Sequence, residues 1–419
     1  MCLISFIIPI YNCRSTISRC VKSITDSTFQ DYEIIFIDDC STDGSHEYCA
    51  SMEALHPFVR SYSTKSNCGP GAARNLGMTF ARGEFIFFID ADDKLESAAL
   101  PLLAKSLRNN PDVDLFCTDY SLIWPDGTGR PKRLDFPECR VSKAILLDAY
   151  PDKPYTGVWT CGFKRHFLET YGIRFSETYL FEDFIFLTHA YFHARYVLLI
   201  PHVFYHYCGF MSDSLSNSPR LDKAIDGFSH YIRFLHELCI KQDTKAKWIN
   251  IGREKAIVNL LAKCPVNFVI NQVDKLESDG VAISQKTDEE ILVRYGVPGY
   301  IAQWARNLYA LLNDYSLGFR KRVYLCPASI FALTLARLFA QWSGKPFSFA
   351  DNNPSHKNLH VVLCRTAGFP VEPIQEIINN KNGFLLLYHF NYSVLHALKL
   401  QAQENALCKN IDYFVIYDI

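Results

Sequence analysis

No apolar run in this 419-residue chain approaches the roughly 18 residues that a membrane-spanning helix requires. The nearest stretch, 328–342, is broken by Arg337 and Gln341. The opening Met1-Cys-Leu-Ile-Ser-Phe-Ile-Ile-Pro-Ile is apolar but short. It has neither a basic n-region nor a small-residue cleavage site, so a first strand is expected there rather than a signal peptide. Excess charge is missing too: 43 basic residues face 44 acidic ones, a formal net charge of −1. Nucleic acid is therefore not an expected partner, because its binding leans on a basic surface. Cysteine is plentiful at 15, yet there is no CxxC, and no two stand closer than Cys13 and Cys20. That spacing excludes the pairing of a zinc site. An odd count in a long chain argues against a disulfide framework, and free thiols in a reducing cytoplasm are expected.

What is present is the composition of a globular protein, 49% hydrophobic and 21% charged, at a length that implies two or three domains. The first hundred residues alternate strand and helix signals. Leu3–Ile10, Ile34–Ile37 and Phe85–Ile89 read as short buried strands, and Ser15–Thr25 and Gly71–Ala81 read as helices between them. That alternation predicts a parallel α/β sheet, whose ligands bind at the carboxyl ends of its strands. From about Pro219 to Lys321 the texture turns to amphipathic helical stretches such as Ala224–Ile240 and Trp248–Leu261. From Arg322 the alternation returns. Strands are expected at Arg322–Cys326, Phe347–Ala350, Gly383–Tyr388 and Tyr413–Ile416, with helices at Ile330–Gln341 and Ser393–Glu404.

The later strands of the first domain end in acid: Asp38-Asp39 after one, Asp90-Ala-Asp92-Asp93 after the next. Carboxylates at i and i+2 in one turn repel each other in a cleft, and a hard divalent cation, Mn²⁺ or Mg²⁺, is their natural partner. A pyrophosphate would complete the coordination shell. The plainer reading of Asp-x-Asp is a surface turn. Ser41 to Ser45 suit a turn and a helix cap, which leaves the two consecutive carboxylates of Asp38-Asp39 unexplained. Gly69-Pro-Gly71 opens a helix with Arg74 in its first turns, so that helix start and the arginine both suit a diphosphate. The plainer reading there is a capped helix with a solvated arginine.

In this order and spacing, the four segments Ser5-Phe-Ile-Ile-Pro-Ile-Tyr-Asn12, Ile37-Asp-Asp-Cys-Ser-Thr-Asp-Gly-Ser45, Gly69-Pro-Gly-Ala-Ala-Arg-Asn75 and Gly83-Glu-Phe-Ile-Phe-Phe-Ile-Asp-Ala-Asp-Asp93 resemble family 2 glycosyltransferases of the GT-A fold. The resemblance is specific over residues 3–95 and weaker to about residue 216. It implies a nucleotide-diphospho-sugar transferase domain over 1–218, with Pro9 and Tyr11 lining the nucleotide pocket and Asp39 holding the base. It further implies that Asn67, Arg74 and Asp90 contact the nucleotide and that Asp92 binds the metal, with Asp93 assisting. An inverting transfer needs a carboxylate to deprotonate the attacking hydroxyl. By the same resemblance that base is Asp183, in Tyr179-Leu-Phe-Glu-Asp-Phe, with Glu182 orienting it or standing near the metal. The segment Trp159-Thr-Cys-Gly-Phe-Lys-Arg165 resembles the family's acceptor side. His206 is a candidate late metal ligand or a packed histidine. The chain departs from the family at Cys208, where no arginine follows the aromatics, and in lacking the Gln-x-x-Arg-Trp element of processive synthases.

The expected activity is transfer of a sugar from a nucleotide-sugar, most commonly a UDP-sugar, to a glycan or lipid-linked glycan of a bacterial surface polysaccharide. The expected location is cytoplasmic, with peripheral attachment to the inner face of the membrane and a homo-oligomer both left open. A non-catalytic scaffold that binds nucleotide-sugar or glycan is the alternative. Sugar-1-phosphate nucleotidylyltransfer ranks last for want of its early Gly-rich signature. A mainly helical segment is expected over 219–321 and a small Rossmann-like α/β tail over 322–419. Its first turn reads Cys326-Pro-Ala-Ser329 without a glycine, so dinucleotide binding is not expected and Asp351 is read as a cap.

Overall fold

A computed structural model of the chain describes residues 2–123, 129–132, 143–146, 157–178, 180–208 and 221–241, together with five strand segments beyond residue 321. The chain divides into two compact units, 1–223 and 224–419.

In the first unit, β1 (Ile4–Ile10), β2 (Tyr32–Asp38), β3 (Val59–Ser63) and β4 (Phe85–Phe88) run parallel in the order β3-β2-β1-β4. β1 and β2 are buried almost throughout, which is why they read as continuous apolar runs rather than alternating ones. Helices α1 (Ile17–Thr25), α2 (Ser45–Leu55) and α3 (Pro70–Phe80) connect them, each within two residues of the stretch expected where the sequence marked one. The sheet then continues with mixed polarity, which corrects the wholly parallel sheet expected from the alternation. β9 (Cys161–Lys164) lies antiparallel between β4 and β6 (Leu115–Ile123), and β10 (Tyr196–Tyr207) runs parallel to β6. β5 (Lys94–Leu95) pairs antiparallel with β10, β7 (Gly129–Lys132) with β6, and β8 (Lys143–Leu146) with β10. The helices α4 (Leu100–Arg108), α5 (Arg165–Thr170) and α6 (Glu182–His193) complete this part.

The core is strongly aromatic. Phe6, Phe87 and Phe116 lie against one another, the last two stacked at 5.7 Å, and Phe88, Phe163, Phe175 and Phe186 form a second group. Such pairs add about 0.5–1.5 kcal/mol each beyond the area they bury. Cys2, Cys13, Cys20, Cys40, Cys49, Cys68, Cys117, Cys161 and Cys208 are free thiols, as expected. Cys117 and Cys161 face each other across β6 and β9 at 3.4 Å, with the Tyr191 hydroxyl 3.5 Å from both.

Helix α7 (Leu221–Lys241) buries Ala224, Phe228, Tyr231, Ile232, Leu235 and Leu238, a stripe at helical spacing. The rest of the segment expected to be helical lies outside the described residues. In the second unit, β11 (Arg322–Cys326), β12 (Ser348–Asp351), β13 (Val371–Pro373), β14 (Gly383–Leu387) and β15 (Tyr413–Val415) form a parallel sheet in the order β13-β12-β11-β14-β15. The sequence marked four of these five; β13, three residues containing a proline, carries too little pattern to be read. The helices expected at Ile330–Gln341 and Ser393–Glu404 lie outside the described residues, as does the Cys-Pro-Ala-Ser turn after Cys326. No helix among the described residues is long and apolar enough to cross a membrane.

Candidate active site at the strand ends

β2 and β4 flank β1 on opposite sides, so the order β3-β2-β1-β4 places a crevice at the carboxyl ends of β1, β2 and β4, where open α/β sheets bind ligands. Register brings these ends level: Ile10 pairs with Asp38, Asp39 donates its N–H to the Ile10 carbonyl, and Ile89 donates to that of Ile7. The loop after β1 is stitched to the loop after β2. Asn12 Oδ1 accepts from the Thr42 amide at 2.8 Å, while Ser41, Ser45 and Asp43 accept from the amides of Asn12, Cys13 and Arg14. Tyr11 projects from this junction, 53% exposed, and Pro9 lies half-buried two residues before it in β1.

Asp39 is 3% exposed and anchors the loop before α3. Its carboxylate accepts from Thr64 Oγ1 at 2.7 Å, the Cys68 amide at 2.9 Å and the Gly69 amide at 2.7 Å. Gly69 takes φ +86°, which a side chain rarely tolerates, and so turns two successive amides toward one acceptor. The result is a capped helix whose anionic partner comes from another strand. The sequence offers this helix start to a phosphate; Asp39 takes the Gly69 amide at its N-cap and the Cys68 amide before it. Asn67, one residue earlier, is exposed.

Arg74 was expected to reach a diphosphate. The structure buries it, 5% exposed, between two carboxylates: Nη2 donates to Asp90 Oδ1 at 2.7 Å and Nη1 to Glu182 Oε1 at 3.0 Å. Nε is buried without a partner, and the guanidinium lies over the Phe175 ring. The fork of arginine suits this bridge as no other side chain would. Asn75 completes the docking by pairing with both backbone groups of Phe175, at 2.8 and 2.9 Å. A side chain at Gly71 would meet the Ser176 carbonyl at 2.7 Å, so glycine there lets segment 175–182 approach α3.

Glu182 and Asp183 open α6, where carboxylates suit the positive end of the helix. Phe181 before them holds φ +67°, a conformation costing a bulky residue about 1–3 kcal/mol. Burial and the adjacent Asp183 push Glu182 up to about 7 against the pull of Arg74. Burial likewise raises Asp183, with Arg74 opposing.

In the turn after β4, the Asp92 carboxylate accepts no hydrogen bond from another residue among the described residues, and burial and Asp90 raise its pKa. Arg19 donates to the Asp92 carbonyl and Cys20 Sγ to that of Asp90 at 3.7 Å. A carboxylate that takes no hydrogen bond from another described residue and stands beside a second acid fits a hard divalent cation. His206 Nε2 faces Glu96 at 3.2 Å, and burial lowers its pKa. No group of three or more His, Cys, Asp or Glu able to hold a metal forms among the described residues. The pairing of β5 with β10 at His206 brings Glu96 alongside it.

The sequence alone assigns no role to Asn75, Phe175, Thr64 or Tyr205. Nothing in the chain signals the contact between Asn75 and Phe175, which join across 100 positions.

Residues 5–172 match the family model "Glycosyl transferase family 2". The chain is similar to the Bacillus subtilis putative teichuronic acid biosynthesis glycosyltransferase TuaG, 33% identical over 136 residues, 32% of this chain and 54% of that protein. It is 32% identical over 220 residues to the Bacillus spizizenii poly(ribitol-phosphate) beta-glucosyltransferase, covering 49% of this chain and 32% of that one. The chain thus spans less than two thirds of the length of either relative. Among solved structures, S. aureus TarS 1–349 in complex with UDP-GlcNAc aligns over 73% of this chain and 92% of its own, with a TM-score of 0.51 at 19% identity, a likeness of fold.

Proposed function

We propose that this chain, which carries a family 2 glycosyltransferase domain, is an inverting enzyme that moves a sugar from a UDP-sugar to a hydroxyl of a surface-polysaccharide acceptor. The carrying observation is the Arg74 bridge, which ties the acidic turn after β4 to the helix bearing Glu182 and Asp183. The relatives named for teichuronic acid and poly(ribitol-phosphate) synthesis support the acceptor class, and the TarS complex supports a UDP-sugar donor.

Tyr11, Pro9 and Asn67 bind the nucleotide, with the exposed Tyr11 ring as the stacking face. Asp39 holds the loop that shapes this pocket and meets the base with its remaining lone pairs. Asp92, together with the diphosphate, would hold Mn²⁺ or Mg²⁺, which supplies charge neutralisation for the departing nucleoside diphosphate. Asp183 accepts the proton of the acceptor hydroxyl. The hydroxyl oxygen bonds to the anomeric carbon as the bond to the diphosphate breaks on the opposite face, inverting the centre. A carboxylate raised by burial is better matched to this task near neutral pH. Glu182, clamped by Arg74, fixes the first turn of α6 and so the aim of Asp183.

The parallel order of the second unit supports a Rossmann-like tail with a packing, acceptor-handling or oligomerisation role. A cytoplasmic enzyme working peripherally at the inner membrane face fits the proposed acceptor.

Thermal stabilisation across a panel of nucleotide-sugars, with and without Mn²⁺, tests the reading. One donor at 100 times its dissociation constant adds about 2.7 kcal/mol. A metal-dependent shift lost in Asp92→Ala, with UDP released on adding acceptor, is expected. Binding without turnover would favour a scaffold, and released pyrophosphate a nucleotidylyltransferase.

A further inference from the structure

The turn carrying Asp90 and Asp92 is held from a strand that the proposed chemistry does not otherwise use. Tyr205, in β10, is wholly buried, and its hydroxyl donates to Asp93 Oδ2 at 2.6 Å while accepting the Asp90 amide at 3.2 Å. Asp93, 1% exposed, accepts from the Cys208 amide with its other oxygen, at 2.6 Å. One relay thus runs from the Asp90 N–H through the tyrosine to a carboxylate, and from there to the end of β10. Chains of hydrogen bonds of this kind polarise and strengthen one another.

The arrangement is costly as mere packing. Three acids share four positions, and the innermost is the most buried, where an apolar residue would avoid both the repulsion and the desolvation. The backbone explains why this position is used. After Asp93 the chain turns back along β10, with Leu95 opposite Tyr205 and the Glu96 amide bonded to the Phe204 carbonyl at 2.9 Å. Asp92 therefore sits at the apex of a loop fixed at Asp90 by the Tyr205 hydroxyl and at Asp93 by the same group. Trp159 stacks on the Tyr205 ring at 4.7 Å and holds it in place.

We propose that Tyr205 and Asp93 are positioning residues that preset the Asp90–Asp92 turn for a cation-bound nucleoside diphosphate, an inference that rests on the glycosyltransferase reading. Neither need touch the ligand. Partners that orient metal-binding groups in this way typically change metal affinity by about 10–100-fold when removed.

The test is calorimetric binding of UDP, with and without Mn²⁺, and of uridine, to the full chain and to Tyr205→Phe, which keeps the buried ring and deletes only the hydroxyl. The expected result is a loss of about 10–100-fold in Mn²⁺-dependent UDP affinity with uridine affinity within twofold, since the base and ribose meet other loops. Asp93→Asn, read out identically, replaces Tyr205→Phe if that variant does not fold. UDP affinity within twofold of the unaltered chain, or equal losses for UDP and uridine, overturns the positioning role alone. No Mn²⁺-dependent UDP affinity in the unaltered chain overturns the UDP-sugar reading, and this proposal with it.

Discussion

Arg74 and Glu182 stand 108 positions apart and form a buried ion pair at 3.0 Å, while the other terminal nitrogen of the same guanidinium holds Asp90 at 2.7 Å. Removing the arginine strands two partly or wholly buried carboxylates, and breaking a buried pair in this way costs about 3–5 kcal/mol. Arg74→Met is expected to lose that much in urea denaturation. Arg74→Lys should recover only part, because an ammonium does not fork between two acceptors. Unchanged stability in Arg74→Met would mean that the bridge contributes nothing.

Gly71 sets how closely segment 175–182 approaches α3. An added methyl would lie 2.7 Å from the Ser176 carbonyl and 3.1 Å from Glu182 Cγ, and the Ser176 backbone cannot yield without shifting the segment that leads into α6. Overpacking of this kind costs about 1–3 kcal/mol. Displacing the base by about 1 Å costs on the order of 100-fold in rate. Gly71→Ala is therefore expected to fold, bind donor normally and turn over about 100-fold more slowly. Steady-state kcat and donor KM separate these effects, and a variant with native kcat would refute the account.

The strand ends were legible because they are local: a buried strand must be apolar, and Asp38-Asp39 and Asp90-Ala-Asp92 stand out where it stops. The element boundaries followed from the same contrast. What each acid does was not legible, because it depends on partners distant in sequence. Arg74 finds Asp90 and Glu182, and the turn entering α3 is held by Asp39 from 30 positions away, and none of these partners is visible locally. The mixed half of the sheet escaped for a similar reason. β9 is four residues long, and its antiparallel placement between β4 and β6 leaves no mark on its own pattern.

Glu182 gives the unliganded protein a pH signature. Its ordinary value of 4.5 rises to about 7 in the folded chain. Between those values the folded state holds a proton that the unfolded chain has released, so stability must fall as pH rises through that window. Asp92 and Asp183 are also raised, and their contributions have the same sign. Urea midpoints measured in chelator from pH 4.5 to 7.5 should decline, and Glu182→Gln should flatten the slope. A rising midpoint over that range would show that Arg74 overrides burial and holds Glu182 ionised.

Asp39→Asn distinguishes a loop anchor from a reader of the base. The aspartate carboxylate takes hydrogen bonds from Thr64, Cys68 and Gly69, using both oxygens. An asparagine has one oxygen, and its NH₂ must confront either the Gly69 amide or the Thr64–Cys68 pair, all of them donors here. Losing one such bond to a charged group costs about 1.5–3 kcal/mol. In a unit of this size that lowers the unliganded melting temperature by about 3–10 °C. If Asp39 served the base alone, the empty protein would melt unchanged and only nucleoside affinity would drop. The hydrogen bonds predict that both fall together. The loss of affinity should also extend to the diphosphate, because the loop released at Gly69 is the one that starts α3 and, four residues on, aims Arg74 at Asp90.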